Sequence, residues 1–445
     1  MLRYPLPIHY DRAEKRGAVS LCCREIECFR PTQFAAVGYP FHISSISELW
    51  KYTECMHEGI GLTEPMFKYL LSYFVMNGFT KQEFDEIKLI KAAIDDLARF
   101  LGRPCEYPMN SMFLAINQAR HISALAPTGS TIVELGGGAG YLGALLALRG
   151  YRYVATDVSQ ALFLMQSHLL SRVAPGGCLE FLDEKYEPSD LRTLQPGQVA
   201  MVPWWRWVQR SVPAALSIDL ATSNHNLLEM HPFSRLYHLT VIRENLSPNA
   251  VGMVFEGWGD PSRHATWTAV RDLSDKGFVL AHNDRRITCF VTDGSHPAGS
   301  VLRYPLPLPA TAQAGSPPPT PDIANASTQR PSMLERAGKK FLQKAFPSLL
   351  SGLQAAIATR LNKVDPSTPF SLNEFHYANP EFREPSNPLS KAVMTMREKE
   401  RGALAFGIDD YRKLMGGGDL VSADDRFLNH IFRGTNFSQE RSQPS

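Results

Sequence analysis

The segment Thr131-Ile-Val-Glu-Leu-Gly-Gly-Gly-Ala-Gly-Tyr-Leu-Gly143 runs a β-branched stretch into a cluster of glycines and then into the apolar stretch Tyr141 to Leu148. A chain passes from strand to helix in so few residues only by turning sharply. Glycine supplies the backbone angles for that turn and, having no Cβ, lets another group approach closely. The helix that follows offers unpaired N–H groups and the positive end of its dipole to whatever lies over the turn. The segment thus predicts the opening strand, loop and helix of a parallel α/β sheet.

The next β-branched run, Tyr153 to Thr156, ends at Asp157. A carboxylate at such a strand tip can accept both hydrogen bonds of a ribose diol. Glu134, Gly136, Gly138 and Gly140 follow the form Glu-x-Gly-x-Gly-x-Gly, and with Asp157 they read as the binding site of an adenosine-type cofactor. S-adenosylmethionine is the expected cofactor. Gly138-x-Gly-x-x-Gly143 also satisfies the dinucleotide fingerprint, so a nicotinamide cofactor is the competing reading. The plainest alternative is glycines that only tighten a turn.

Further strands are predicted at Val199 to Val202, Ala215 to Leu220 and Ala250 to Glu256, alternating with amphipathic helical segments. Phe278 to Ala281 and Ile287 to Val291 lie too close together for a crossover helix and must pair antiparallel. The expected fold class is therefore α/β: a Rossmann-like sheet of five parallel strands plus a C-terminal antiparallel hairpin, the order of a class I methyltransferase.

Four regions follow. Residues 1–104 hold an irregular segment and a helical unit. In that unit, capping boxes are predicted at Ser45 with Glu48 and at Thr80 with Glu83, and Phe84, Ile87, Ile90, Ile94, Leu97 and Leu101 form a stripe ended by Gly102 and Pro104. Residues 105–298 form the cofactor-binding domain, 299–332 a Pro-rich linker, and 333–445 a partly disordered extension opening with a basic amphipathic helix. The hexapeptide Leu-Arg-Tyr-Pro-Leu-Pro occurs twice, beginning at Leu2 and at Leu302.

A net charge of +2 gives no footprint for a nucleic-acid backbone, so no nucleic-acid partner is expected. The seven cysteines are scattered without paired spacing, and no apolar run reaches the ~18 residues that would span a bilayer, so a cytoplasmic location is expected. The basic stripe at 333–346 marks a candidate contact with an anionic membrane surface.

Catalytic groups should follow the fourth strand, in Ser217-Ile-Asp-Leu-Ala-Thr-Ser-Asn-His-Asn-Leu-Leu-Glu-Met230. Methyl transfer to a hydroxyl needs a base to take the acceptor's proton, and His225 has the suitable ordinary pKa, with Glu229 and Asp219 as further candidates. Each also has a plainer role: His225 lining the pocket, Asp219 ending a strand, Glu229 starting a helix. His225, Glu229 and His231 match no strong metal-ligand motif, and no metal is expected. Pro203 and Trp204 fall where an adenine ring would lie, although the Trp-rich run containing them also suits core packing. Arg120, His121 and Tyr107 are expected to meet the substrate from the helical unit.

Val133-Glu-Leu-Gly-Gly-Gly-Ala-Gly, Asp157, Val202-Pro-Trp and Asp219-Leu with Leu227-Leu-Glu-Met230 resemble a family of sugar O-methyltransferases associated with polysaccharide and glycoside biosynthesis. The resemblance covers roughly residues 105–298. Ser223 and Asn226 stand where the family's motif usually has Asn and Ser. The resemblance implies a class I fold, S-adenosylmethionine as donor and a sugar or small-molecule hydroxyl as acceptor. A nicotinamide-dependent oxidoreductase and a catalytically degenerate scaffold are the other functional readings.

Overall fold

The computed structural model describes residues 4–18, 43–49, 75–102, 110–209, 212–224, 226–227, 230–248, 250–255, 269, 272–283, 287–292 and 388–415. These lie in one of two compact units of the chain, residues 1–295 with 365–445. The predicted linker and the basic stripe at 333–346 lie outside the described residues, as do His225, Glu229 and Tyr107.

The central sheet has eight strands: β2 (Thr131–Leu135), β3 (Arg152–Asp157), β4 (Cys178–Glu180), β5 (Val199–Pro203), β6 (Leu220–Thr222), β7 (Gly252–Phe255), β8 (Phe278–Asn283) and β9 (Thr288–Thr292). Their spatial order is β4-β5-β3-β2-β6-β7-β9-β8. The run from β4 to β7 is parallel, β9 pairs antiparallel with β7, and β8 pairs antiparallel with β9. This is the expected parallel sheet closed by a hairpin, with β4 as an additional edge strand. Three residues, Cys-Leu-Glu, carry too little β-branched pattern to announce it. Strand order reverses at β2, so the carboxyl ends of β2, β3 and β6 border the crevice where open α/β sheets bind ligands.

β6 corrects one boundary. Ala215 to Leu220 was the expected strand, but Pro213–Ala215 forms a 3-10 turn and pairing with β2 and β7 covers Leu220 to Thr222. Proline at the start favours a turn over a ladder, and the shift moves the strand's carboxyl end beyond Asp219.

β2 is fully buried, as a central parallel strand must be. The following α4 (Tyr141–Leu148) is apolar on nearly every side because the sheet and neighbouring helices cover it. α5 (Gln160–Val173) and α7 (Pro232–Asn245) complete the layers nearest the site.

In the helical unit, α2 (Lys81–Leu101) starts at the predicted box: the Glu83 N–H donates to Thr80 Oγ1 at 3.2 Å, and the Thr80 N–H donates to Glu83 Oε2 at 2.9 Å. Its predicted apolar stripe is buried, and it ends at Gly102 in the left-handed region (φ 64°). The Ser45 box does not form. Glu48 instead accepts from the Ser44 N–H and hydroxyl around one 3-10 turn, Ile46–Glu48.

The extension contains order that the polar composition did not announce. α8 (Pro388–Ala403) packs across α3 (Asn110–Leu125), and β10 (Leu404–Phe406) pairs antiparallel with β1 (Phe79–Thr80). Phe406 stacks on Phe84 with ring centroids 4.1 Å apart, and Tyr411 of α9 (Ile408–Leu414) lies against Phe79 and Phe113. Isolated aromatics become packing groups once the chain returns to the helical unit.

The described part of the first hexapeptide, from Tyr4 to Pro7, lies against α5, with Tyr4 stacked on His168 and the His168 Nε2–H donating to the Pro5 carbonyl at 2.8 Å. Burial pulls His168 down to about 4, so it is neutral and suited to that donation. α1 (Pro7–Gly17) follows and is tied to α5 by the Gln160 amide, which donates to the Asp11 carboxylate at 2.6 Å. The second copy lies outside the described residues.

Candidate functional site

β2 and β3 run in register from Thr131↔Arg152 to Leu135↔Thr156, which brings Glu134, the glycine loop and Asp157 to one edge of the sheet. β5 adds Pro203 directly beside Asp157. The adjacent β6 delivers Ser223, Asn224 and Asn226 to the same edge from the other side of β2.

Two glycines show what the loop needs. Gly136 has φ 71°, and a Cβ there would sit 2.1 Å from the Asn226 side-chain nitrogen, which donates to the Leu135 carbonyl at 3.2 Å. Any other residue would push Asn226 off the loop. Gly138 has φ 55° with nothing within 4 Å of a Cβ position, so the loop is open there. A left-handed residue facing open space presents bare backbone to a ligand. Gly140 caps α4.

Two carboxyl groups lie below the loop without a cation among the described residues. Glu134 accepts from the Asn224 amide at 3.0 Å and from the Tyr153 hydroxyl in a short contact. Burial pushes it up to about 7 despite those bonds, with the nearby Asp157 adding to the rise. Asp157 accepts from the Ser159 N–H at 2.9 Å and the Gln166 amide at 3.0 Å. Burial likewise raises it to about 7, while these hydrogen bonds and one from the Gly138 backbone oppose the shift. Near neutral pH both groups therefore sit close to the balance between acid and carboxylate, as is common in functional sites.

The sequence candidates divide accordingly. Glu134, Gly136, Gly138, Gly140, Asp157 and Pro203 share the carboxyl edge. Trp204, which opens α6 (Trp204–Val208), is 4% exposed, and its indole N–H donates to Glu14 of α1 at 2.7 Å. Any face it offers a nucleobase is shared with that helix.

Asp219 is a correction. It stands at the amino end of β6, where its Oδ2 accepts from the Thr131 N–H at 2.8 Å and its Oδ1 from the Ser247 hydroxyl at 2.6 Å. Thr131 opens β2, so Asp219 fastens the edge of the sheet opposite the glycine loop.

Arg120 and His121 make their described hydrogen bonds with the helical unit and α8. Arg120 is 2% exposed and forks onto Glu83 at 2.6 and 2.7 Å. His121 is buried between the Asn117 carbonyl and Arg397 of α8. His231 accepts from the Phe233 N–H at the start of α7. No cluster of metal-ligating side chains occurs among the described residues, and no described helix is long and apolar enough to cross a membrane.

Sequence reasoning missed Gln166, Tyr153 and Asn224 as structural partners of the site. Tyr153 sat in a predicted strand and Gln166 in a predicted helical region, and neither carries a local signal for which strand tip it meets. Gln118 was also missed: its amide donates to Thr222 Oγ1 at 2.9 Å, and that hydroxyl bonds Asn224 at 3.3 Å. A hydrogen-bonded chain thus runs from α3 to Glu134.

No protein-family model matches the sequence, and no curated protein matches it significantly. Among solved structures the chain is similar to a TehB-like SAM-dependent methyltransferase from Corynebacterium glutamicum, at 16% identity over 45% of this chain and 95% of that one, with a TM-score of 0.26. It is similar also to the magnesium protoporphyrin IX methyltransferase of Synechocystis with bound SAM, at 14% identity over 48% and 97%, TM-score 0.28. A third is the O-methyltransferase TomG of Streptomyces achromogenes in complex with SAM, at 14% identity over 46% and 90%, TM-score 0.28. The fold assignment rests on the strand order and register described above, and the site on its own residues.

The edge suits a nucleoside cofactor on its own observations. Gly138 leaves open space beside the loop where a ligand would lie, Asp157 has no cation partner among the described residues, and β5 brings Pro203 alongside.

Proposed function

We propose that the chain is an S-adenosylmethionine-dependent O-methyltransferase acting on a hydroxyl of a small molecule, with a sugar or glycosylated compound as the acceptor class. The supporting observation is the meeting of the open left-handed Gly138 with the cation-free Asp157 carboxyl at one sheet edge. The cofactor would supply an electrophilic methyl group on a sulfonium. Asp157 would hold its ribose diol, exchanging the Gln166 amide for a hydroxyl donor, and the glycine loop would receive its amino-acid end. Glu134 would act at one remove, holding Asn224, which precedes His225 in the sequence. His225 and Glu229 remain the proposed bases for the acceptor's proton, and Trp204 with Pro203 the proposed side of the nucleobase pocket. The sugar acceptor is supported by the sequence resemblance alone, and a cytoplasmic setting by cysteine usage.

Calorimetric titration with S-adenosylmethionine tests the cofactor. Wild-type binding that Asp157→Ala weakens is expected, and equal binding by both proteins removes the reading. Methyl transfer to a panel of glycosides, lost in His225→Ala, tests the chemistry and separates an enzyme from a scaffold.

One observation favours a second reading. A Cβ at Gly143 would lie 2.5 Å from the Tyr153 ring, which is the close helix–strand packing expected of the last glycine in a dinucleotide fingerprint. A nicotinamide dinucleotide that raises Tm where S-adenosylmethionine does not would shift the assignment to an oxidoreductase.

A further inference from the structure

A second cleft, of about 660 Å³, lies between the helical unit and α8. Arg149 and Tyr151, which line it, belong to the turn entering β3, so the cleft sits toward the amino edge of the sheet, away from the glycine loop. Its volume is in the range of small-molecule sites.

Its lining carries four cations, Arg120, Arg149, Lys391 and Lys399, against two carboxylates, Glu83 and Glu400. Lys391, Thr395 and Lys399 recur at four-residue steps and form one ridge of α8 along the cleft. Neither lysine forms an ion pair within the described residues. Across from them, Arg120 binds Glu83 through Nε and Nη2, while its Nη1 is buried without an acceptor. A guanidinium that is 1% exposed at the side chain and has one nitrogen unmatched calls for an acceptor from outside the chain. Glu400 opposes an anion: its Oε2 is also unmatched, and burial, with Glu83 nearby, raises its pKa.

We propose that this cleft binds a small molecule carrying two separated oxyanion groups, one toward the Arg120 and Arg149 side and the other along the lysine ridge. The two lysines stand about 12 Å apart along the helix axis, which is too far for one phosphate to serve both. This site is independent of the proposed cofactor site and shares no residue with it.

Titration of the full chain with inorganic tripolyphosphate, with citrate and with inorganic phosphate tests the proposal and separates phosphoryl from carboxylate preference. One site per chain is expected for tripolyphosphate or citrate, tighter than for phosphate. Lys391→Ala with Lys399→Ala, both at exposed positions, should weaken binding at least tenfold, and Glu400→Gln should tighten it severalfold. Binding unchanged by Asp157→Ala would assign the anion to this cleft and leave the cofactor question separate. No binding by either polyanion, equal affinity in the double lysine variant, or loss of binding in Asp157→Ala would overturn the proposal and leave an ordered water as the partner of Arg120.

Discussion

Two regions of the molecule hold buried carboxyl groups and treat them oppositely. At the carboxyl edge, Glu134 and Asp157 meet amides, a phenol and backbone N–H groups but no cation among the described residues, and burial raises both to about 7. In the helical unit, Glu83 meets Arg120 in a two-pronged contact, with Arg149 at 3.8 Å. Burial alone would raise Glu83, yet the Arg120 hydrogen bonds and both guanidinium charges hold it below the usual range. Glu86 pairs with Arg149 at 2.8 Å in the same network. The difference separates a carboxylate that fastens helices from one that still has room to accept. A carboxylate fully matched by arginines cements helices, whereas one left with neutral donors keeps acceptor capacity that an incoming hydroxyl can use.

The largest expected effect would break that contrast at its paired end. Glu83→Gln strands the Arg120 charge in the interior and should destabilise the fold by about 3–5 kcal/mol in urea unfolding. A cost under about 1 kcal/mol would mean the pair is no cement. Next, Asp157→Ala should weaken S-adenosylmethionine binding by about 1.5–3 kcal/mol, the scale of one hydrogen bond to a charged group.

Glu134→Gln sharpens the comparison through pH. The folded-state pKa values of Glu134 and Asp157 lie above the unfolded carboxyl values near 4. The native chain therefore holds protons that the unfolded chain releases. The stabilising contribution of each is whole below about pH 4 and lost as pH rises through about 7. Removing one such group should flatten that loss and raise stability at neutral pH by roughly 1–3 kcal/mol. Unfolding curves from pH 4 to 8 that superimpose for variant and wild type would contradict it.

The smallest effect concerns Asp219. Its Asn variant loses part of a two-bond clasp and should cost about 1–2 kcal/mol of stability with unchanged S-adenosylmethionine affinity. A fall in affinity without destabilisation would return Asp219 to the site.

Much of the fold was legible along the chain because its causes are local. A buried parallel strand is a run of β-branched residues, a sharp turn beneath a ligand is glycine, and the Thr80 box with the stripe through Leu101 fixes a helix and its ends. These signals marked β2, β3, β5, the closing hairpin and α2, and they marked Glu134, the loop glycines and Asp157, because strand tips adjacent in a parallel sheet come together whatever else the chain does.

What the tertiary structure alone decided depends on contacts between residues far apart in sequence. The three-residue β4 exists because β5 offers it an edge. Asp219 lies at the far edge because pairing with β2 and β7 begins only at Leu220. Arg120 became cement once α2 brought Glu83 to it, and α8 gained its place by packing on α3. The pKa values of Glu83 and Glu134 diverge for the same reason: both are glutamates in sequence, and only the folded chain chooses whether an arginine or an amide stands in front of each.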